Sequence, residues 1–453
     1  MKLFDFKNDE ILILGFGIEG VSTLKFLRTK FPTKKISVYD KKSLKKLEKE
    51  AKEAIRTDNN LSLKLEETRL DTLDEYGLVI KSPGVKIANH PSSTNVTSQT
   101  ELFFNECQGT IIGVTGTKGK STTSTLIYNI LKNAGLHTEL IGNIGNPALS
   151  SKNIYDKNMY FVYELSSFQL ESLKRSPHIA VMLNIFPEHL DYHGSFKDYK
   201  DAKLNIIKFQ KKNDYIVFNN DQEVGKKIAV RSKAIKLPFS LKTSLANGVY
   251  KKDKKILFSS NAKIEEILDT KKVQLLGEFN QNNVLAAVAV GKLLKIPSSS
   301  IAKSIYAFKG LEHRLQFIRE INKVRFYNDS ISTIPQATIA ALEALGNKVD
   351  TLILGGYDRG QDFSELAKII SAKKIQNLVF FPTTGKKILE EIKSINFSPK
   401  YIFTSSMSEA VKFSKENTKS GKVCLLSPAS PSFGVFKNYK DRGYQFIKMV
   451  NSL

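Results

Sequence analysis

The stretch "GVTGTKGKSTT", Gly113 to Thr123, follows the apolar run "GTII" and leads into "STLIYNILKN", a segment of helical character. A glycine-rich turn between a strand and a helix aims backbone N–H groups and the positive end of the helix dipole at an anion. In such a turn Lys120 serves phosphate oxygens, with Ser121 or Thr122 reaching phosphate and Mg²⁺. The common G-x-x-x-x-G-K-[ST] spacing fails, because counting back from Gly119 places Val114 where that pattern needs glycine. This is a variant phosphate loop, and its kind has to be read from the rest of the chain.

On either side of the loop the chain alternates strands with helices, the pattern of a parallel sheet. Before it come the strands "ILILGFG", "KISVYD" and "GLVIKSPG"; beside it "YFVYELSS" and "HIAVMLNI", then a helix over 195–210; after it "RFYNDS", "TLILGGYD", "NLVFFP", "KYIFTS" and "VCLLSP". The 453 residues suggest three domains of roughly 150 residues each. The expected boundaries are 1–107, 108–309 and 310–453, giving an α/β protein with a Rossmann-like first domain, a P-loop-type ATPase domain and a Rossmann-like last domain.

The net charge of +24, with 69 Lys and Arg against 45 Asp and Glu, raises nucleic acid as a partner. The lysines are spread along the whole chain, and no helicase-like or nucleic-acid motif accompanies them. Compositional bias is the better reading, and no nucleic acid is expected. Lys41, Lys42, Lys45, Lys46, Lys49 and Lys52 have helical spacing and read as a solvated face. No apolar run approaches the ~20 residues of a membrane span, and the start lacks a signal-peptide pattern, so a cytoplasmic protein without membrane insertion is expected. Cys107 and Cys424 lie far apart without metal-ligand spacing, which argues for a reducing compartment and against zinc.

"LGFGIEG" matches G-x-G-x-x-G at Gly15, Gly17 and Gly20, and Asp40 ends the next strand 20 residues past Gly20. An NAD-dependent dehydrogenase fits this motif taken alone, but any diphosphate can use the same helix N-terminus. Glu164 and His189 follow predicted strands of the second segment, at the edge where open α/β sheets gather ligands, and are candidates for Mg²⁺. Lys203 stands in the apolar stripe Phe196, Tyr199, Lys203, Ile207. Its ammonium either snorkels to water or, turned from +1 to −1 by carbamylation, ligates a metal. Asn280 and Asn283 in "GEFNQNN" suit a purine or ribose.

The ordered set "GTKGKSTT", "GNIGNP", "YELSSFQL", "NIFPEHLD", "YKDAKL", "GEFNQNN", "LEHRL", "YNDS" and "LLSPASPSFGVFKNYKDRG" resembles the Mur ligases of peptidoglycan synthesis, over all three segments. That family's loop, G-T-x-G-K-[ST]-[ST], does not need the common spacing. The resemblance implies an ATP-dependent amide ligase, acting through an acyl phosphate, that adds glutamate to UDP-N-acetylmuramoyl-L-alanine. It implies ATP bound by Gly116, Thr117, Lys118, Gly119, Lys120, Ser121 and Thr122, with Asn280, Asn283, Arg314 and Asp329. Two Mg²⁺ are implied, one on Ser121 and Glu164, the other on His189 and carbamylated Lys203. Gly17, Ile18 and Glu19 fall near the diphosphate of the UDP substrate, Asp40 and Lys41 near uracil, and Ser82, Gly84 and Asn143 complete that site. Thr333, Arg359, Ser432, Phe433 and Tyr439 fall to the glutamate. A monomer is expected.

Several positions depart from the family's pattern. Lys118 replaces a common Asn, Phe279 a common His, Ile331 a lysine that often follows "NDS", Arg359 a lysine, and "PSFG" a sequence ending in Asp. The last three fall on the amino-acid site. A branch of the family sharing "SISTIP" and "DRG" adds L-glutamate, and the whole-chain pattern favours the D-enantiomer. Folylpolyglutamate synthase-like ligases share the ATP loop but leave residues 1–107 unexplained.

Overall fold

The computed structural model describes residues 3–66, 73–87, 94–275 and 277–453. Three sheets form. The first takes β1 (Ile11–Leu14), β2 (Ile36–Asp40), β3 (Leu61–Leu65), β4 (Leu78–Lys81) and β5 (Asn95–Ser98) in the order β3-β2-β1-β4-β5. All its pairings are parallel. Its central strands are buried throughout, as strands covered by helices on both faces must be. The order reverses beside β1, and ligands of open α/β sheets bind outside the carboxyl ends of strands at such a point. The "GFGIEG" loop leaves β1 there and enters helix Ile18–Lys30.

The second sheet comprises β6 (Thr110–Thr115), β7 (Thr138–Gly142), β8 (Tyr160–Glu164), β9 (Ile179–Met182), β10 (Tyr215–Asn219), β11 (Ile235–Ser240), β12 (Gly248–Lys252), β13 (Lys255–Ser260) and β14 (Lys263–Asp269). Its order is β14-β13-β12-β11-β10-β9-β6-β8-β7. From β7 to β12 it is parallel; β13 and β14 add an antiparallel edge that the sequence reading did not foresee. With β6 flanked by β9 and β8, the loops after these three strands come together, and they are the loops carrying "TGTKGK", "LSSFQL" and "FPEHLD".

The third sheet has β15 (Gln316–Ile321), β16 (Val324–Asn328), β17 (Val349–Gly355), β18 (Asn377–Phe381), β19 (Lys400–Phe403) and β20 (Val423–Leu426), ordered β15-β16-β20-β17-β18-β19. It is parallel except at β15. The apolar runs of β17 and β18 are buried at every residue. Loops leaving β16, β20 and β17 are therefore neighbours, which groups "DSIST", "SPASPSF" and "GYDRGQ".

Two compact units result, Met1–Lys272 with Gln281–Ile305, and Val273–Asn280 with Tyr306–Leu453. The first two sheets share one unit because they share a core: Phe103 meets Phe161 edge-on at 5.1 Å, and Ser150 Oγ donates to Ser22 Oγ at 2.9 Å. Among the described residues no helix is long and apolar enough to cross a membrane. The lysine cluster does lie exposed, but not on one helix. The chain breaks at Leu47, which is buried, and helix Lys49–Thr57 starts only after it. Both cysteines are free.

Candidate functional site

In the first unit the phosphate loop follows β6 and caps helix Lys120–Asn133. Gly119 sits in the left-handed region at φ +89°, and a Cβ there would lie 2.2 Å from Asn283 Oδ1, so this position accepts only glycine. Asn283 Oδ1 also accepts from Thr123 Oγ1 at 3.2 Å, tying "GEFNQNN" to the loop helix. Lys120 Nζ donates to the Gly116 and Thr117 carbonyls, both at 3.0 Å, curling over its own loop. Thr117 Oγ1 accepts from Phe186 N–H at 2.9 Å and meets the Tyr199 hydroxyl at 3.0 Å, which joins the loop to the segment after β9. Lys118 forms a salt bridge with Glu188, so this departure from the family's Asn has a partner in place. Thr122 is buried, while Ser121 opens the helix partly exposed.

Glu164 ends β8 and is 1% exposed. Its Oε1 accepts from Asn143 Nδ2 at 3.0 Å; its Oε2 is buried without a hydrogen-bond partner. Such an oxygen is costly unless a cation or donor completes it. Lys203 is also 1% exposed, so its ammonium does not snorkel. It donates to Thr115 Oγ1 at 3.3 Å and the Gly116 carbonyl at 3.1 Å and stands 4.9 Å from the Tyr199 ring. Burial first, then repulsion from Lys120, lowers its pKa to about 7, against the pull of Glu188 and Glu164. His189 takes a left-handed backbone at φ +56°, which leaves its ring half exposed, 4.0 Å from Glu188 Oε2 and 5.1 Å from the Phe168 ring. Among the described residues no three His, Cys, Asp or Glu side chains form a metal-holding group. The donor set implied by the resemblance contains only two of these types, and the orphaned Glu164 oxygen beside a lysine held close to neutrality fits it.

At the first sheet, Gly15 has φ +93°, and a Cβ on Gly20 would fall 2.3 Å from the Gly15 carbonyl, so the helix packs directly on the strand turn. Gly17 and Gly84 face open space and Ile18 is 72% exposed, which leaves that helix N-terminus accessible. Ser82 Oγ donates to the Gly15 carbonyl at 2.9 Å. Asp40 is engaged by the backbone: its carboxylate accepts from Phe16 N–H at 2.7 Å and Lys42 N–H at 2.9 Å, with Lys41 exposed between them. Its visible role is to shape the turn after β2 and hold it to the one after β1. Glu19 accepts from Gln169 Nε2 at 2.9 Å, a link across 150 residues, and burial raises its pKa to about 7 despite that bond.

In the second unit Asp329 is 2% exposed and accepts from Ser332 Oγ (2.6 Å), Ser427 Oγ (2.8 Å) and Leu315 N–H (3.0 Å). Burial raises its pKa to about 6 in spite of these bonds. Arg314 is exposed next to it, and Asn280, almost buried, belongs to the same unit. Arg359 lies over the Phe433 ring at 5.8 Å, Gln361 Nε2 reaches the Thr333 carbonyl at 3.5 Å, and Ser432 is buried between these loops. Tyr439 starts the last helix, 6.0 Å from the His313 ring. Arg442 was missed by sequence reasoning. Entirely buried, it donates Nε to Ser330 Oγ (3.0 Å), one amino group to the Ser330 carbonyl (2.9 Å) and the other to the Ser430 carbonyl (3.1 Å). It clamps the loops after β16 and β20. The signal available was its place in "YKDRG", where glycine on the next helical position lets the helix approach: a Cβ on Gly443 would lie 2.2 Å from His313 Nδ1.

The variant phosphate loop, a buried carboxylate with an unpartnered oxygen and a buried lysine all stand at the second sheet, an arrangement suited to an ATP-dependent ligase. The chain belongs to the Mur ligase family. It matches the Mur ligase middle domain over residues 114–291 and the Mur ligase glutamate ligase domain over 313–430. It is 37% identical to the UDP-N-acetylmuramoylalanine--D-glutamate ligase of Acetivibrio thermocellus, covering 100% of this chain and 99% of that protein. With the enzyme of the same name from Thermoanaerobacter sp. it shares 35% identity over 99% of both chains. The fold is similar to the UDP-N-acetylmuramate-alanine ligase of Thermotoga maritima (TM-score 0.59, 17% identity, 98% of this chain and 100% of that one). It is also similar to the MurF ligase of Thermotoga maritima solved with ADP (TM-score 0.56, 18% identity, 92% and 95%).

Proposed function

We propose that this chain joins D-glutamate to UDP-N-acetylmuramoyl-L-alanine, using ATP, in the synthesis of a peptidoglycan precursor. The observation that carries this reading is likeness over essentially the whole chain, at 35–37% identity, to relatives bearing the D-glutamate ligase name. In the first step the alanyl carboxylate attacks the γ-phosphorus, an O–P bond forms, the bridging P–O bond breaks and ADP leaves. In the second the glutamate amine attacks the acyl carbon; the C–N bond forms, phosphate departs and the amine loses a proton.

The first step brings two anions together. Lys120, released from its loop carbonyls, neutralises the β- and γ-phosphates. Ser121 and Glu164 would hold one Mg²⁺, and His189 with Lys203 as its carbamate a second; these ions would supply further charge neutralisation. Asn143, already fixed on Glu164, orients the muramoyl-alanine end. Gly17, Ile18, Glu19, Asp40, Lys41, Ser82 and Gly84 hold the UDP moiety. Asn280, Asn283, Arg314 and Asp329 serve the nucleotide, and Thr333, Arg359, Ser432, Phe433 and Tyr439 the incoming glutamate. We assign domains to 1–107, 108–309 and 310–453, and take the enzyme to be a cytoplasmic monomer.

Multiple-turnover ADP release is expected only when UDP-N-acetylmuramoyl-L-alanine and glutamate are both present. Release driven by a folate, by DNA or by neither substrate, or nicotinamide reduction in its place, would overturn the assignment. Arg359→Ala should raise the KM for glutamate roughly thirtyfold, about 2 kcal/mol, and leave the KM for ATP within twofold. The figure stays at the lower end for a charged pair because the guanidinium is exposed in the free protein. An unchanged glutamate KM would remove Arg359 from the site.

A further inference from the structure

The loop after β17 carries an aromatic arrangement that the core does not require. Tyr357 is 49% exposed and Phe433 48% exposed, so neither ring contributes full burial to folding. They meet edge to face, with centroids 6.3 Å apart and planes at 85°. The Arg359 guanidinium lies 5.8 Å from the same Phe433 ring. The backbone beneath them is fixed at both sides of the turn. Tyr357 N–H donates to the Pro431 carbonyl at 2.8 Å, and Gly356 cannot be replaced, since a Cβ would fall 2.1 Å from that oxygen. Arg359 N–H donates to Gln361 Oε1 at 2.9 Å. The Tyr357 hydroxyl has no hydrogen-bond partner among the described residues.

We propose that Tyr357 is a positioning residue for the incoming amino acid: it packs at right angles against the Phe433 ring, and that ring holds the Arg359 guanidinium ready for the side-chain carboxylate. The inference rests on the glutamate assignment made above. An arginine on a loop has several rotamers of similar energy, and binding a carboxylate requires one of them. Cation–π attraction to a ring held in one orientation by a neighbour favours that rotamer before the ligand arrives, which lowers the ordering cost of binding. The Tyr357 ring packed against Phe433 favours one orientation of that ring.

The test is steady-state kinetics on Tyr357→Ala and Tyr357→Phe, alone and with Arg359→Ala. Tyr357→Ala should raise the glutamate KM about fivefold with kcat and the ATP KM within twofold, the scale of an exposed cation–π pair. Tyr357→Phe should match the wild type, because only the ring is used. In the Arg359→Ala background the Tyr357→Ala effect on kcat/KM should fall below twofold. An unchanged glutamate KM in Tyr357→Ala overturns the proposal, as does an undiminished effect in the double variant, which would mean direct contact with the amino acid. Loss of kcat together with a lowered Tm would make Tyr357 merely structural and overturn it equally. A wild type that prefers no dicarboxylate overturns the glutamate assignment and this inference with it. A wild type that selects glutamate alongside an unaffected variant overturns this inference alone.

Discussion

Lys203→Ala is expected to lose about 10³-fold in kcat/KM, near 4 kcal/mol, while its melting temperature stays level or rises. The two readouts diverge for a physical reason. Lys203 is 1% exposed and, among the described residues, bonds to a hydroxyl and a carbonyl with no carboxylate in ion-pair distance. Burying an amine without a paired anion costs desolvation energy, and that cost offsets the packing lost when the side chain is truncated. Thr115 Oγ1 keeps its own bond to the Leu165 carbonyl at 2.9 Å. The proposed role gives that cost a purpose: as a carbamate Lys203 would present an oxygen where the alanine leaves a gap. Acetate should therefore restore part of the activity of Lys203→Ala. Full activity in the variant, or a collapse of its melting temperature, would contradict this account.

Lys120→Ala should lower kcat/KM by ~100-fold or more, about 3 kcal/mol of electrostatic stabilisation in the transition state. The free protein holds this ammonium on the Gly116 and Thr117 carbonyls, 3.0 Å from each, so the charge already stands over the loop proposed to receive the phosphates. The loss should appear in kcat as well as in KM for ATP, because charge on the transferred group changes between ground state and transition state. Near-normal turnover by a folded Lys120→Ala protein would exclude the role.

The parts of this picture legible in the sequence are those where an apolar run ends in chemistry. β6, β8, β9, β16, β17 and β20 are each short buried runs, and the residues after them carry the loop, Glu164, His189, Asp329, Arg359 and Ser432. Their convergence follows from parallel order alone. Strands without that signature were invisible. β5 is four residues at an edge, and β13 and β14 carry Lys and Glu on an exposed face, so neither reads as a buried run. Lys203 was legible as an anomaly, because a cation in an apolar stripe has few explanations, and its burial removes snorkelling. Arg442 was not: in "NYKDRG" it looks like one more charge on a solvated helix, and only the fold places it against the Ser330 and Ser430 carbonyls. Asp40 has a second role that its position did not reveal: its oxygens accept backbone N–H groups of two turns. The Glu19–Gln169 link, 150 residues apart in sequence, depends on how the first two sheets pack and leaves no local trace.

The most direct test of the central claim is the initial rate of ADP release with UDP-N-acetylmuramoyl-L-alanine and ATP, measured in parallel with D- and L-glutamate, with the product checked by mass for one added glutamyl residue. The account predicts glutamyl product and ADP in equal amounts, with kcat/KM at least tenfold higher for the D-enantiomer, the ratio expected when one carboxylate of the wrong enantiomer misses its partner. A preference for L-glutamate would contradict the assigned acceptor, and ADP release without glutamyl product would contradict the ligase itself.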